Sequence, residues 1–92
     1  MTDHLPHHWQ HSDNALVATF RPVSFSAGAE FVLQIAAIAD ELNHHPELTL
    51  TYGLLTVRLF SHDAQNTVTE RDRALAARID QAATKQGVLY TD

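Results

Sequence analysis

Three histidines carry most of the chemical promise of this chain. His44 and His45 stand side by side before Pro46, and His62 closes a later run of alternating residues. Imidazole is the side chain whose unperturbed pKa lets it both give and take a proton near neutrality. Two such rings facing one bound molecule can divide the acid and base roles. Carboxylates are close in sequence: Asp40 and Glu41 precede His44, Asp63 follows His62, and Asp72 lies a little further on. One of them could orient a ring nitrogen. Zinc is the competing chemistry, because three histidines and a carboxylate supply enough donors. The spacing fits it poorly, since adjacent His44 and His45 do not converge easily on one ion and there is no His-x3-His face, so no metal is expected. A second group, His4, His7, His8 and His11, falls in a segment expected to fray and reads as surface composition.

The elements around these residues decide whether they can meet. Phe31, Ile35, Ile38 and Leu42 form one apolar stripe of a helix over roughly 27–43, with Ser26 as its N-cap and Pro46 as its stop. Leu48, Leu50 and Tyr52 alternate with threonines, and Leu55, Val57 and Leu59 alternate in turn, so 47–52 and 55–61 read as a hairpin about Gly53. A two-residue loop at Gly53-Leu54 sets Tyr52 opposite Leu55, and hence His45 opposite His62. Directly opposed residues are about 5 Å apart at Cα. His44 would then bring a third ring to the same end of the hairpin.

The flanks complete the pattern. Residues 8–11 read as a short strand, Ser12-Asp13-Asn14 as a turn, and Ala15 to Phe20 as a strand that ends at Pro22. Thr69-Glu70-Arg71-Asp72 is a capping box, Leu75, Ile79, Ala82 and Ala83 form a second helical stripe, and Gly87 is its C-cap. Trp9 suits either a core or a flat wall against a ring-shaped ligand. The fold class this order implies is α+β: a four-stranded antiparallel sheet with the helices packed on one face. Its edge strands are open to a second subunit.

Composition sets the outer bounds. Ninety-two residues make one domain, 1–92, with 1–7 expected to be loosely held. Six basic against eleven acidic residues leave a net charge of −5, which excludes direct binding to a nucleic-acid backbone but not to a protein that does so. There is no cysteine, so no disulfide or thiolate site. No apolar run approaches the ~18 residues of a membrane span, and the first residues lack a secretory pattern. A cytoplasmic domain is expected.

At this point the residues match a family. Glu41-Leu42-Asn43-His44-His45-Pro46-Glu47, then Tyr52, then Ser61-His62-Asp63, then Thr69-Glu70-Arg71-Asp72 resembles the pterin-4a-carbinolamine dehydratases, also called 4a-hydroxytetrahydrobiopterin dehydratases. Trp9, Phe20, Phe25 and Phe31 also fall where that family has aromatics, and the similarity runs from about Trp9 to Ala83. The resemblance implies the same four-stranded sheet and a hydro-lyase that needs no metal or organic cofactor. Its reaction converts a 4a-hydroxytetrahydropterin to the quinonoid dihydropterin, in tetrahydrobiopterin recycling. It implies His44 and His62 as the acid/base pair and His45 as a pterin contact. Pro46, Ser61, Arg71, Asp72 and Trp9 would bound the substrate, with Asp40 and Glu41 in support. It also implies a homodimer or homotetramer.

The chain departs from the family pattern in four places. Asp40 stands where a glutamate is usual, and Leu48 where an aromatic is common. The 62–72 loop is one residue longer and carries Asn66-Thr67, and the helix before Trp9 is largely missing. These departures motivate an alternative: a catalytically weak or inactive member that binds a protein partner as a coactivator or assembly factor.

Overall fold

The computed structural model describes residues 8–61 and 67–90. Its elements are β1 (Gln10–Ser12), β2 (Ala15–Arg21), α1 (Phe25–Leu42), β3 (Glu47–Thr51), β4 (Leu54–Leu59), α2 (Glu70–Gln86) and β5 (Leu89–Tyr90). The sheet is antiparallel in the order β1-β2-β4-β3, and β5 adds to β2 at Phe20 and Arg21. This is the expected α+β arrangement with one short strand added. Two residues are too few for an alternation signal, so sequence reading passed over β5.

Alternation explains which face is covered. Leu16, Ala18 and Phe20 of β2 and Leu55, Val57 and Leu59 of β4 point to one side, where they are buried against Phe31 and Ile35 of α1 and Leu75, Ala76, Ile79 and Ala83 of α2. Phe20 and Phe31 meet edge to face, with centroids 5.3 Å apart. Each large side chain withdrawn in this way contributes about 1.5–3 kcal/mol of transfer free energy. The opposite face carries Thr19, Thr49, Thr56 and Arg58, all at least partly exposed. Among the described residues no helix is long and apolar enough to cross a membrane.

Turn chemistry fixes the joints. Asp13 and Asn14 both have positive φ, 51° and 64°, which suits the tight β1–β2 hairpin and the residue types that tolerate it. α1 begins two residues earlier than expected: Ser24, not Ser26, is the N-cap, and its Oγ accepts from the Ala27 N–H at 3.0 Å. α2 is capped as the sequence indicates, with the reciprocal Thr69–Asp72 box at its start and Gly87 at its end.

The central hairpin corrects the expected register. The turn is Tyr52-Gly53, and Thr51 pairs with Leu54, so the pairing is offset by two residues from the sequence reading. Gly53 supplies the left-handed corner at φ 83°, a position that favours glycine, and this places it second in the loop rather than first. An even offset keeps every side chain on its expected face. It does move the partners: Leu55 lies opposite Leu50 rather than Tyr52. His62, expected opposite His45, lies outside the described residues.

Close approach of α1 to the sheet rests on Gly28. A Cβ there would lie 2.8 Å from Leu50 Cδ1 and 3.0 Å from Pro22 Cγ. Gly28→Val should therefore lower the unfolding free energy by about 1–3 kcal/mol through overpacking, read as a reduced urea midpoint with an unchanged m-value.

Candidate functional site

The site is built where three chain segments end together. α1 stops because Asn43 adopts the left-handed conformation at φ 52°, and the His44 N–H returns to the Ala39 carbonyl at 3.0 Å. This reversal turns the next side chain inward. His44 is buried, at 8% exposure, whereas the His45 side chain one residue on is 59% exposed. Arg71, in the first turn of α2, donates to the Asn43 carbonyl at 2.6 Å and so ties the end of one helix to the start of the other.

The centre of the arrangement is Asp72, with 0% exposure. Its Oδ1 lies 2.6 Å from His44 Nε2. Its Oδ2 accepts from the Ser61 hydroxyl at 2.8 Å and from the Thr69 backbone N–H at 2.9 Å. Ser61 and Thr69 hydroxyls are 2.7 Å apart. Ser61 is the residue that follows β4 closely, and its N–H bonds the Thr67 carbonyl at 2.9 Å, in an antiparallel bridge. A buried carboxylate is costly unless it is fully hydrogen-bonded, and here three donors converge on it.

Burial revises two expectations. Asp72 and Ser61 were expected to bound the substrate directly. With 0% exposure for both, neither presents a surface to solvent: Asp72 contacts the His44 ring and Ser61 contacts Asp72. His45 keeps an exposed ring, with Nε2 2.9 Å from Asp40 Oδ1. Asp40, one methylene shorter than glutamate, thus still reaches a histidine. Pro46 is half-buried beside it. Glu41 faces α2 and pairs with Arg78, Oε1 to Nη2 at 2.9 Å.

Trp9 and His8 belong to a different place. Trp9 Nε1 donates to both oxygens of Asp80, at 3.0 and 3.1 Å, and His8 Nε2 lies 3.0 Å from Asp80 Oδ1. The His8 ring stacks on Tyr90 at 3.8 Å. Asp80 is eight residues beyond Asp72, about 12 Å along the helix at ~1.5 Å per residue. Trp9 is therefore a buried anchor at the far end of α2, apart from His44. His8, expected at the surface, is buried by the same contacts. A long-range carboxylate partner gives no local sequence signal, which is why the histidine count near the N-terminus was misleading.

Among the described residues no group of three or more histidine, aspartate or glutamate side chains is gathered closely enough to hold a metal ion. What the geometry offers at the end of α1 is a buried imidazole backed by a buried carboxylate, beside an exposed imidazole paired with an exposed carboxylate. Sequence reading found His44, His45 and Asp72. It missed that Thr69 and Ser61 complete the carboxylate's shell, although the capping box was the available signal.

The Arg78 guanidinium, bonded to Glu41, holds its carboxyl below the ordinary glutamate range. A depressed carboxyl contributes stability above the ordinary value and loses it as pH falls through the lowered one. Carbon-detected NMR titration should find Glu41 titrating below the chain's unpaired glutamates. Arg78→Gln should bring it back up.

Comparison with known proteins places this geometry in context. The family model described as "Pterin 4 alpha carbinolamine dehydratase" matches residues 1–82. A "Putative pterin-4-alpha-carbinolamine dehydratase" of Chloroflexus aurantiacus is 40% identical over 73 residues, 79% of this chain and 77% of that one. The protein of the same name from Sulfolobus acidocaldarius is 38% identical over 73 residues, 79% of each chain. Among solved structures, a "transcriptional coactivator/pterin dehydratase from Brucella Melitensis" superposes with a TM-score of 0.76 at 35% identity, covering 83% of this chain and 82% of that one. A "pterin dehydratase-like protein", described as "a RuBisCO assembly factor in the alpha-carboxysome", gives 0.68 at 26% identity, covering 87% and 96%.

Proposed function

The chain belongs to the pterin 4 alpha carbinolamine dehydratase family, and we propose that it dehydrates a 4a-hydroxytetrahydropterin to the quinonoid dihydropterin by histidine acid/base catalysis. The observation that carries this reading is the buried contact of His44 Nε2 with Asp72 Oδ1 at 2.6 Å. A carboxylate at Nε2 orients the ring and leaves Nδ1 to take a proton. Such a ring suits a reaction in which N5 must lose its proton as hydroxide leaves C4a.

The step balances with two imidazoles. His44 takes the N5 proton, the N5 electron pair forms the C4a=N5 bond, and the C4a–O bond breaks. His62, in its protonated form, gives its proton to the departing hydroxide, and water leaves. His62 lies outside the described residues; its part comes from the family motif and from its place next to Ser61 in the chain. His45, exposed and paired with Asp40, is the proposed pterin contact, with Pro46 beside it. Arg71 keeps the α1 terminus in place at the edge of the site. No metal or organic cofactor enters this scheme. The expected setting is pterin recycling in the cytoplasm, by a homodimer or homotetramer.

A second reading has specific support: one similar structure is that of a "transcriptional coactivator/pterin dehydratase" and another that of "a RuBisCO assembly factor in the alpha-carboxysome". On that reading the fold serves to bind a macromolecular partner.

The deciding assay follows decay of the 4a-carbinolamine, generated by a hydroxylase or chemically. Wild-type protein should accelerate it, and His44→Ala and His62→Ala should each lower kcat by about 10²–10⁴-fold. Folded wild-type protein that leaves the decay unchanged would favour the binding reading.

A further inference from the structure

The two oxygens of Asp72 meet different partners, and the asymmetry determines where the protons sit. A carboxylate has no hydrogen to give, so the Ser61 hydroxyl, 2.8 Å from Oδ2, must donate. That commits its one hydrogen. The Thr69 hydroxyl, 2.7 Å from Ser61 Oγ, must then donate to Ser61. Thr69 Oγ1 in turn accepts from the Arg71 N–H at 3.3 Å. A directed chain thus runs from the first turn of α2 to Oδ2, where the Thr69 backbone N–H also arrives at 2.9 Å. On the other side, Oδ1 faces His44 Nε2 at 2.6 Å. A ring nitrogen facing an acceptor must carry the hydrogen. A neutral imidazole has only one, so its lone pair is on Nδ1.

We infer that Ser61 and Thr69 are positioning residues: through Asp72 they hold neutral His44 as the Nε2–H tautomer, with Nδ1 as the proton acceptor. The catalytic consequence rests on the dehydratase reading, but the tautomer rests on the hydrogen-bond geometry alone. A capping box that merely stabilised α2 would affect unfolding and leave the ring's proton where it was.

Asp72→Asn separates these cases. The amide is nearly isosteric with the carboxylate. Its oxygen must take the Oδ2 place, because two donors point there and one is a backbone N–H that cannot turn. Its NH2 group then faces His44 Nε2, which must present a lone pair, and the ring proton moves to Nδ1. Nitrogen-15 NMR of the full chain, at a pH where His44 is neutral, reads the tautomer directly. Wild type should show Nε2–H and Asp72→Asn should show Nδ1–H. In the carbinolamine assay Asp72→Asn should lose about 10²–10⁴-fold in kcat, the scale of a general base held in the wrong tautomer. Ser61→Ala and Thr69→Ala should each lower kcat by about 10-fold, the scale of losing the partner of an orienting group. Thr69→Ser, which keeps the hydroxyl, should restore the rate.

Nδ1–H in the wild type would overturn the inference, and that spectrum needs no variant to fold. A folded Asp72→Asn protein that keeps Nε2–H would also overturn it. Wild-type acceleration without the flip defeats the inference and leaves the dehydratase reading standing. The flip without wild-type acceleration defeats that reading and the catalytic half of the inference, and supports the control of the tautomer.

Discussion

A carboxylate with no exposure to water is tolerable only if its oxygens are occupied, and Asp72 meets that condition by drawing three segments together. His44 comes from the end of α1, Ser61 from beyond β4, and the Thr69 N–H from the start of α2. None of these segments could shift without leaving a buried polar group unpaired, at about 1–3 kcal/mol for each neutral group and more for the charge. The network therefore acts as a single unit. It fixes the angle at which two helices and a strand meet, and in doing so it fixes the imidazole. The capping box, which a helix uses to satisfy its own first N–H groups, here has a second partner in a histidine 28 residues away in sequence.

How far the sequence revealed this depends on whether the signal was local. Periodicity located both helices and four strands, because apolar stripes and alternation are read over a few residues. The α2 cap was legible in Thr69 and Asp72 alone. The hairpin was legible as a hairpin, but its register turned on which residue follows the first corner. Placing Gly53 first in the loop rather than second moved every pair by two. The faces survived because the strand period is two, so the core was right although Leu55 pairs with Leu50 rather than Tyr52. The pairing of His44 with Asp72 had no local signal, since it depends on how the two helices dock. The same holds for Asp80, which gathers His8 and Trp9 from the other end of the chain. A histidine count near the N-terminus could not show that one of its members was core.

α2 thus carries two acids with different tasks. Asp72 sits in its first turn, where the helix dipole favours negative charge, and serves the His44 end. Asp80 lies eight residues on and holds the Trp9 indole and the His8 ring against the sheet, with Tyr90 of β5 stacked over the imidazole. The anchoring of β1 and β5 is thereby kept away from the residues around His44. Asp40 stays at the His44 end, where its Oδ1 lies 2.9 Å from His45 Nε2.

The buried His44–Asp72 pair also weighs on the choice between enzyme and binding protein. Taking such a pair out of water is expensive, and well-packed apolar residues of similar size often stabilise a fold as well or better. A surface used only for recognition would present its polar groups to the partner, whereas Asp72 and Ser61 present none and His44 is mostly covered. What the arrangement supplies is one imidazole in a fixed orientation, with its carboxylate on the inner side. Fixed orientation matters when a proton must pass at a defined atom, because a misdirected ring nitrogen cannot accept it at any concentration of substrate. It matters little for adhesion, where a side chain can adjust to its partner. The contact of buried His8 with Asp80 shows that this fold also uses such a pair as an anchor, so what supports the proposed dehydratase reading is the joint placement of His44 beside the exposed His45 at the end of α1.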